Sequence, residues 1–465
     1  MALTVTNVNS LSLLNILNRT SADQSNTLTR LSTGFRINSG KDDPAGLIAF
    51  RGLSTELTAV DAAIGNNQRT GAMLGVADKA LNEVADLLSE IKSLALESAN
   101  QDGISADELA ANQAQIDNAI AAIDRIIGST EFNGKKLLDG SLGIVTSSVD
   151  TADITDLKVY SRNANSSTSL TVEVTNSAAK AELEVATTSA TADTQISVQG
   201  KDGTVIIDIA AGENLSSVAA KINAATAQTG VTASASSGSL TLLSSDYGSA
   251  AFVRVNVVDT DTTDTSFAGG SDTGDDAEVT VNGQRAAVDG LNVGYTANGV
   301  SISFNLTETF NTSGGSSTFV VEDDGGATFQ LGTTSDTRAT IGVDGLFSHQ
   351  MGEAAVGYLS SLRGGAENSL LNNPNQASQI ASAAAEQLAK VQGRLGGFQK
   401  FQVETALNQM TASKEGLTAA ISTINDADYA VETANLNRQN VLLQSAISLL
   451  GLANQQSSQI LALLR

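Results

Sequence analysis

Val441-Leu442-Leu443-Gln444-Ser445-Ala446-Ile447-Ser448-Leu449-Leu450-Gly451-Leu452-Ala453-Asn454-Gln455-Gln456-Ser457-Ser458-Gln459-Ile460-Leu461-Ala462-Leu463-Leu464 places Leu443, Ala446, Leu450, Ala453, Ser457, Ile460 and Leu464 at heptad spacing. Leu442, Ile447, Leu449, Leu461 and Leu463 widen that stripe well beyond a two-stranded seam. Such a helix needs apolar neighbours on several sides. Working back along the chain, Ala384, Leu388, Val391, Leu395 and Phe398 form one stripe, followed by Leu407 and Met410, then Leu417 and Ile421.

The N-terminal end mirrors it. Leu14, Leu17, Leu28, Leu31 and Phe35 share a 3/4-spaced register, with Ser21 and Gln24 at intervening core positions. Leu53, Leu57, Val60 and Ile64, then Leu74, Ala77, Leu81, Val84, Leu88, Ile91 and Ala95, continue as a rod of roughly 65 Å. A third helix carries Leu109, Ile116, Ile120, Ile123 and Ile127 and stops before Gly128.

Between these ends, residues 171–345 follow a period of two, as in Thr171-Val172-Glu173-Val174-Thr175 and Ser301-Ile302-Ser303-Phe304-Asn305-Leu306. Turn dipeptides punctuate them: Asp202-Gly203, Asn282-Gly283, Asp289-Gly290, Asn298-Gly299, Asp324-Gly325 and Asp344-Gly345. One short helix interrupts, opened by Glu213-Asn214 and carrying Leu215, Val218, Ile222 and Ala225. The fold class is therefore α+β: both chain ends form a long helical coiled coil or bundle, and a β-rich, solvent-facing insert sits beyond a neck near 140–170 and 345–375. A broad apolar stripe cannot cover itself, and the remaining surface is best satisfied by identical neighbours. Repeated heterologous contacts between copies give a helical filament when the rotation does not close.

Composition excludes much else. The chain of 465 residues has 26 basic and 50 acidic side chains, a net charge of −24, which argues against nucleic acid or anionic lipid as a partner. The insert holds 6 of the basic and 22 of the acidic residues. Cysteine is absent, so thiolate chemistry and Cys-ligated metals are excluded. His349 is the single histidine, too few for a His-Glu-x-x-His zinc site, and it reads as a packing or exposed residue of the neck. No cofactor is expected, and the protein is not expected to be an enzyme. Asp259, Asp261 and Asp264, or Asp272, Asp275 and Asp276, come nearest to a calcium loop but lack the EF-hand order, so they read as solvated loops. No window is long and apolar enough for membrane insertion, and Met1–Ser12 lacks the basic-then-apolar order of a cleavable signal.

Several motifs resemble bacterial flagellin. Arg30-Leu31-Ser32-Thr33-Gly34-Phe35-Arg36-Ile37-Asn38-Ser39-Gly40-Lys41-Asp42-Asp43-Pro44-Ala45-Gly46-Leu47 is similar to that family's signature along its whole length. Here Gly34 and Gly40 permit turns, Asp42 or Asp43 can cap the next helix, and Pro44 suits its first turn. The match extends to Asn9-Ser10-Leu11-Ser12-Leu13-Leu14, Ala80-Leu81-Asn82-Glu83-Val84, Ser98-Ala99-Asn100, Ile123-Asp124-Arg125 and Phe132-Asn133-Gly134-Lys135-Lys136-Leu137-Leu138-Asp139-Gly140. It resumes at Gly393-Arg394-Leu395-Gly396-Gly397-Phe398-Gln399, Ile424-Asn425-Asp426-Ala427-Asp428-Tyr429-Ala430 and Ala453-Asn454-Gln455 with Ile460-Leu461-Ala462-Leu463-Leu464. Ile196 to Val258 is similar, more weakly, to the β module often inserted in flagellins.

The resemblance implies a secreted structural subunit that polymerises into the flagellar filament for swimming motility. It implies residues 1–45 as an N-terminal filament-core arm, 46–170 as the N-terminal part of a helical rod domain with a β-hairpin, 171–345 as a variable outer domain, 346–424 as the C-terminal part of the rod, and 425–465 as the C-terminal core arm. Expected subunit-interface residues are Leu14, Leu17, Leu28, Leu31, Phe35, Leu443, Leu450, Ile460 and Leu464. Partners implied are further copies in a homopolymer, the export chaperone and export apparatus, and the hook-associated and cap proteins. In the region matching the innate-receptor contact, Leu88 and Leu94 fit the family pattern but Glu90 replaces an arginine, which reverses a charge and removes its pairing. Ser457 stands where the family often has proline, so the last turns are expected to stay helical. Two alternatives are a hook-filament junction protein, which shares helical ends, and an adhesin module on a helical stalk.

Overall fold

The computed structural model describes residues 8–100, 103–186, 190–236, 238–258, 267, 269–353 and 356–463. The chain divides into two compact units. The first comprises 1–69, 330–335 and 403–465; the second comprises 70–329 and 336–402.

The first unit contains α1 (Val8–Thr33), the opening turns of α2 (Pro44–Ser98), α7 (Thr405–Asn425) and α8 (Tyr429–Leu463). The turn after α1 is tied to the turn before α8. Arg36 N donates to Asn425 O at 2.6 Å, Ala427 N donates to Gly34 O at 2.9 Å, and the Arg36 guanidinium donates to Ile424 O at 2.7 Å. Of the two signature glycines read as turn formers, Gly34 and Gly40, only Gly34 lies in the left-handed region, with φ 78°. The two aspartates divide their work. Asp43 caps α2 by accepting from Gly46 N at 2.9 Å, with Pro44 opening the helix. Asp42 instead accepts from Ser39 N, Ser39 Oγ and Asn38 N, and the bonds from Ser39 hold its carboxyl below the usual range.

In the second unit the predicted stripes close on one another. Leu74, Ala77, Leu81, Val84, Leu88, Ile91 and Ala95 of α2 are buried with Ile116, Ile120, Ile123 and Ile127 of α3 (Ala106–Ser129) and with Ala384, Leu388, Val391 and Leu395 of α6 (Pro374–Phe398). Helix α3 opens on a capping box, Ser105 with Glu108, and runs one residue beyond Gly128. A two-residue turn at Asn133 and Gly134, both at positive φ, joins Glu131–Phe132 to Lys135–Lys136.

The β region has two cores. One lies among a five-stranded sheet (144–147, 168–176, 278–281, 284–285, 316–325) and a four-stranded sheet (154–161, 287–289, 292–297, 300–306). Phe304 and Phe319 meet edge to face at its centre, with ring centroids 6.3 Å apart. The other core is built from strands 194–199, 204–209, 252–257 and 270–273 and from 180–186, 231–236 and 239–247. Against it pack Leu215, Val218 and Ile222 of α4 (Leu215–Ala224), followed by the single turn α5 (Thr226–Thr229). Asn214 caps α4 by accepting from Ser217 N at 2.8 Å. Of the predicted turn pairs, Asn282-Gly283 and Asn298-Gly299 form two-residue hairpins with both residues at positive φ.

The neck read near 140–170 holds two strands, Ile144–Ser147 and Ile154–Ser161, which pair with 316–325 and 300–306. Register shifts break the period-two signal there, and Asp156 sits at φ 50°. The lobe closes at its base, where Val343 N donates to Leu142 O at 2.9 Å and Leu346 N to Leu138 O at 3.1 Å.

Candidate assembly surface

Helices α1 and α8 run antiparallel, and what registers them is polar. Arg30 Nη1 meets Glu432 Oε1 at 3.1 Å, Gln439 Nε2 donates to Thr27 Oγ1 at 3.0 Å, Gln24 Nε2 donates to Asn440 Oδ1 at 2.6 Å, and Ser10 Oγ donates to Asn454 Oδ1 at 3.2 Å. Tyr429 Oη adds a bond to Leu31 O at 3.1 Å. Asp428 caps α8 by accepting from Ala430 N and Val431 N, and Glu432 in the first turn suits the positive end of the helix.

The seam buries Thr20, Thr27 and Glu432, whereas Ala446 is the one apolar residue of the two helices that is buried among the described residues. Leu11, Leu14, Ile16, Leu28, Val441, Leu442, Ile447, Leu449 and Leu452 remain 41% to 62% exposed. The usual arrangement of a soluble helix pair is thus inverted at the seam: its fully buried positions are mostly hydrogen-bonding groups, while Leu11, Leu14, Leu28, Leu442, Leu449 and Leu452 face out.

Of the predicted interface residues, Leu14, Leu28 and Phe35 are exposed, and Leu17, Leu31, Leu443 and Leu450 are half-buried. The side chain of Ile460 and the whole of Leu464 lie outside the described residues, as do Asp259, Asp261 and Asp264. The heptad reading passed over Leu11, Ile16, Val441 and Leu452; the width of the C-terminal stripe was a signal for Val441 and Leu452, and none was read for Leu11 and Ile16. The helix does continue through Ser457 to Leu463.

Elsewhere, Leu88 and Leu94 are buried in the helical core of the second unit, and Glu90 is exposed on the same helix. Asp272 and Asp276 serve as acceptors within the fold. Asp272 takes Glu182 N at 2.8 Å, and Asp276 takes Ser249 N, Ser249 Oγ and Gly290 N, which hold its carboxyl below the usual range. His349 stacks on Phe347, with ring centroids 5.8 Å apart. Among the described residues no helix is long and apolar enough to cross a membrane.

Helical ends with outward apolar faces, flanking a β-rich lobe, define a class of chain built to assemble with its own kind. Comparison with known proteins names the class. Residues 5–143 match the bacterial flagellin N-terminal helical region, 378–464 the C-terminal helical region, and 195–246 the flagellin hook IN motif. The B-type flagellin of Pseudomonas aeruginosa is 31% identical over 504 residues, covering 100% of both chains. A flagellin of Salmonella typhimurium is 28% identical over 99% of both, and flagellin A of Helicobacter pylori 26% identical over 94% of both. Among solved structures, FlgL from Xanthomonas campestris is similar over 80% of this chain and 99% of that one, at 12% identity and a TM-score of 0.29. The flagellar junction protein FlgL from Legionella pneumophila is similar over 82% and 100%, at 10% identity and a TM-score of 0.30.

The chain belongs to the bacterial flagellin family. It is a secreted structural subunit of the flagellar filament, and the junction-protein and adhesin readings are not favoured.

Proposed function

We propose that polymerisation is driven by burial of the outward faces of α1 and α8 between neighbouring copies. Leu14, Leu17, Leu28, Leu31, Phe35, Leu443 and Leu450, continued by Ile460 and Leu464, form the subunit interface. The carrying observation is the inverted seam: the two helices satisfy polar groups with each other and leave six of their described leucines exposed and others only half-covered. Among the described residues these apolar side chains stay exposed or half-covered, and copies supply the same apolar chemistry.

In this reading residues 1–45 and 425–465 are the filament-core arms, 46–170 and 346–424 the two parts of the rod, and 171–345 the outer domain. The role is structural and non-catalytic. Before assembly the face from Val441 to Leu464 needs shelter, which fits an export chaperone on the C-terminal arm ahead of the export apparatus. Hook-associated and cap proteins then meet the two ends of the polymer. Glu90, exposed where the family's receptor-contacting pattern has arginine, is expected to weaken activation of the innate receptor.

Hydrogen exchange on monomer and filament tests the reading. Amides of α1 and α8 should gain protection on polymerisation well beyond those of the 144–341 lobe; equal protection in both states would reduce the pair to an ordinary intramolecular bundle.

A further inference from the structure

Asparagine is followed by glycine at Asn133, Asn282 and Asn298, and each pair forms the two-residue turn of a hairpin. The three turns share one conformation. The asparagines sit at φ 51°, 50° and 55°, and the glycines after them at φ 78°, 75° and 79°. All three asparagines are exposed, and a Cβ placed on Gly134, Gly283 or Gly299 would meet nothing within 4 Å.

Hydrogen bonding is what separates them. Asn282 is tied to the strand 168–176: Thr171 N donates to its Oδ1 at 2.8 Å, its Nδ2 donates to Ser169 O at 3.0 Å, and its own N donates to Thr171 O at 2.9 Å. Among the described residues the side-chain amides of Asn133 and Asn298 bond to no protein group.

An asparagine followed by glycine carries a reaction of its own. The glycine nitrogen, unobstructed by any side chain and stripped of its proton by base, attacks the asparagine Cγ. A C–N bond forms, the Cγ–Nδ2 bond breaks and ammonia leaves, which yields a five-membered succinimide. Water then opens the ring at either carbonyl, leaving aspartate or an isoaspartyl linkage whose main chain runs through Cβ. Closing the ring turns Cγ towards the next nitrogen and expels Nδ2, so at Asn282 two side-chain hydrogen bonds must be lost, and at Asn133 and Asn298 none. Losing two neutral bonds slows the step about tenfold or more.

We propose that Asn133 and Asn298 are sites of spontaneous deamidation in the folded protein, and that Asn282 is protected by its bonds to the neighbouring strand. At Asn298 the isoaspartyl product adds a backbone atom to a turn whose length sets the Ala297–Val300 pairing, on strands that carry Val293, Tyr295, Ile302 and Phe304 into the core. At Asn133 it acts on the hairpin that pairs Glu131 with Lys136. In a secreted structural subunit such a one-way change accumulates with age.

The test is to age the full-length protein in mildly alkaline buffer, folded and in concentrated guanidinium chloride, then to digest it with trypsin and map it by mass spectrometry. Cleavage after Arg125, Lys135, Arg254, Arg285 and Arg338 puts the three asparagines on separate peptides. In the folded protein Asn133 and Asn298 should convert about tenfold or more faster than Asn282. In denaturant the three rates should converge, because glycine follows each asparagine and the bonds to Ser169 and Thr171 are gone. Asn298→Gly keeps a residue that tolerates positive φ and removes the amide, so it should silence the 286–338 peptide, with thermal melting as the control for folding. Conversion persisting in that peptide would overturn the assignment of the site. Equal rates at all three positions in the folded chain overturn the proposal, as does a folded chain in which Asn133 and Asn298 stay intact. A spread that survives in denaturant overturns it too, since local sequence and not hydrogen bonding would then set the rates.

Discussion

Leu442→Asp is the most direct test of an assembly surface made of uncovered leucines. Leu442 is half exposed on α8, so the single chain gains little from it, and the isolated monomer should melt within about 0.5 kcal/mol of wild type. Full burial of a leucine is worth about 1.5 to 3 kcal/mol, so covering the remaining half contributes about 1 kcal/mol. Nine comparably exposed residues of α1 and α8 then supply about 9 kcal/mol, the size of the roughly 4 to 15 kcal/mol lost when a subunit surrenders its freedom. The aspartate forfeits its share and adds a desolvated, unpaired charge costing about 3 kcal/mol or more. A total near 4 kcal/mol raises the critical concentration about a thousandfold. The assay is sedimentation of seeded protein with electron microscopy of the pellet. Filaments at the wild-type critical concentration would refute the argument, because a face buried between copies cannot accept that charge without effect.

Replacing residues 143–342 by an Asn-Gly turn should leave an assembling subunit, since the Leu142–Val343 bond already brings the ends together; negative-stain images showing only monomers would contradict this. Excising only 171–345 should lower soluble yield instead, because Ile144–Ser147 and Ile154–Ser161 lose their partner strands. Leu81→Ala, in the fully buried helical core, should cost about 2 to 5 kcal/mol in chemical denaturation, whereas Leu442→Ala should cost under about 1 in the monomer. Glu108 is held below its ordinary range by the backbone and hydroxyl bonds from Ser105, so its contribution is present above about pH 4.5 and lost as pH falls through the lowered value. Glu108→Gln should therefore flatten the acid limb of the unfolding midpoint without changing the slope above about pH 6; an unaltered acid limb would remove the box from the pH response. Glu90→Arg should raise innate-receptor signalling by the filament subunit in a reporter cell assay, and no change would dissociate that charge from recognition.

The helices themselves were legible because their causes are local. A 3.6-residue period, Asn214 ahead of Leu215, and the Asp43-Pro44 opening each specify an element within a few residues. The Asn-Gly pairs at 282 and 298 did the same for hairpins, through the left-handed backbone they tolerate. By contrast, the strands at 144–161 were hidden. Their alternation is broken by bulges and by positive φ at Ser148 and Asp156, and they exist only because partners more than a hundred residues away complete their hydrogen bonds.

The assembly surface divides along the same line. From the sequence alone came the apolar stripes, their unusual width at the C-terminus, and the conclusion that something must cover them. Whether the cover lies within the chain depends on which stripes meet, and that is a long-range matter. Leu74 to Ala95 find α3 and α6 and vanish from solvent, while α1 and α8 register through Arg30, Thr27, Gln24 and their partners and leave their leucines outside. Periodicity fixes which residues share a face of a helix; only the packing of distant segments fixes what that face touches, because burial is a property of neighbours and not of the residue buried.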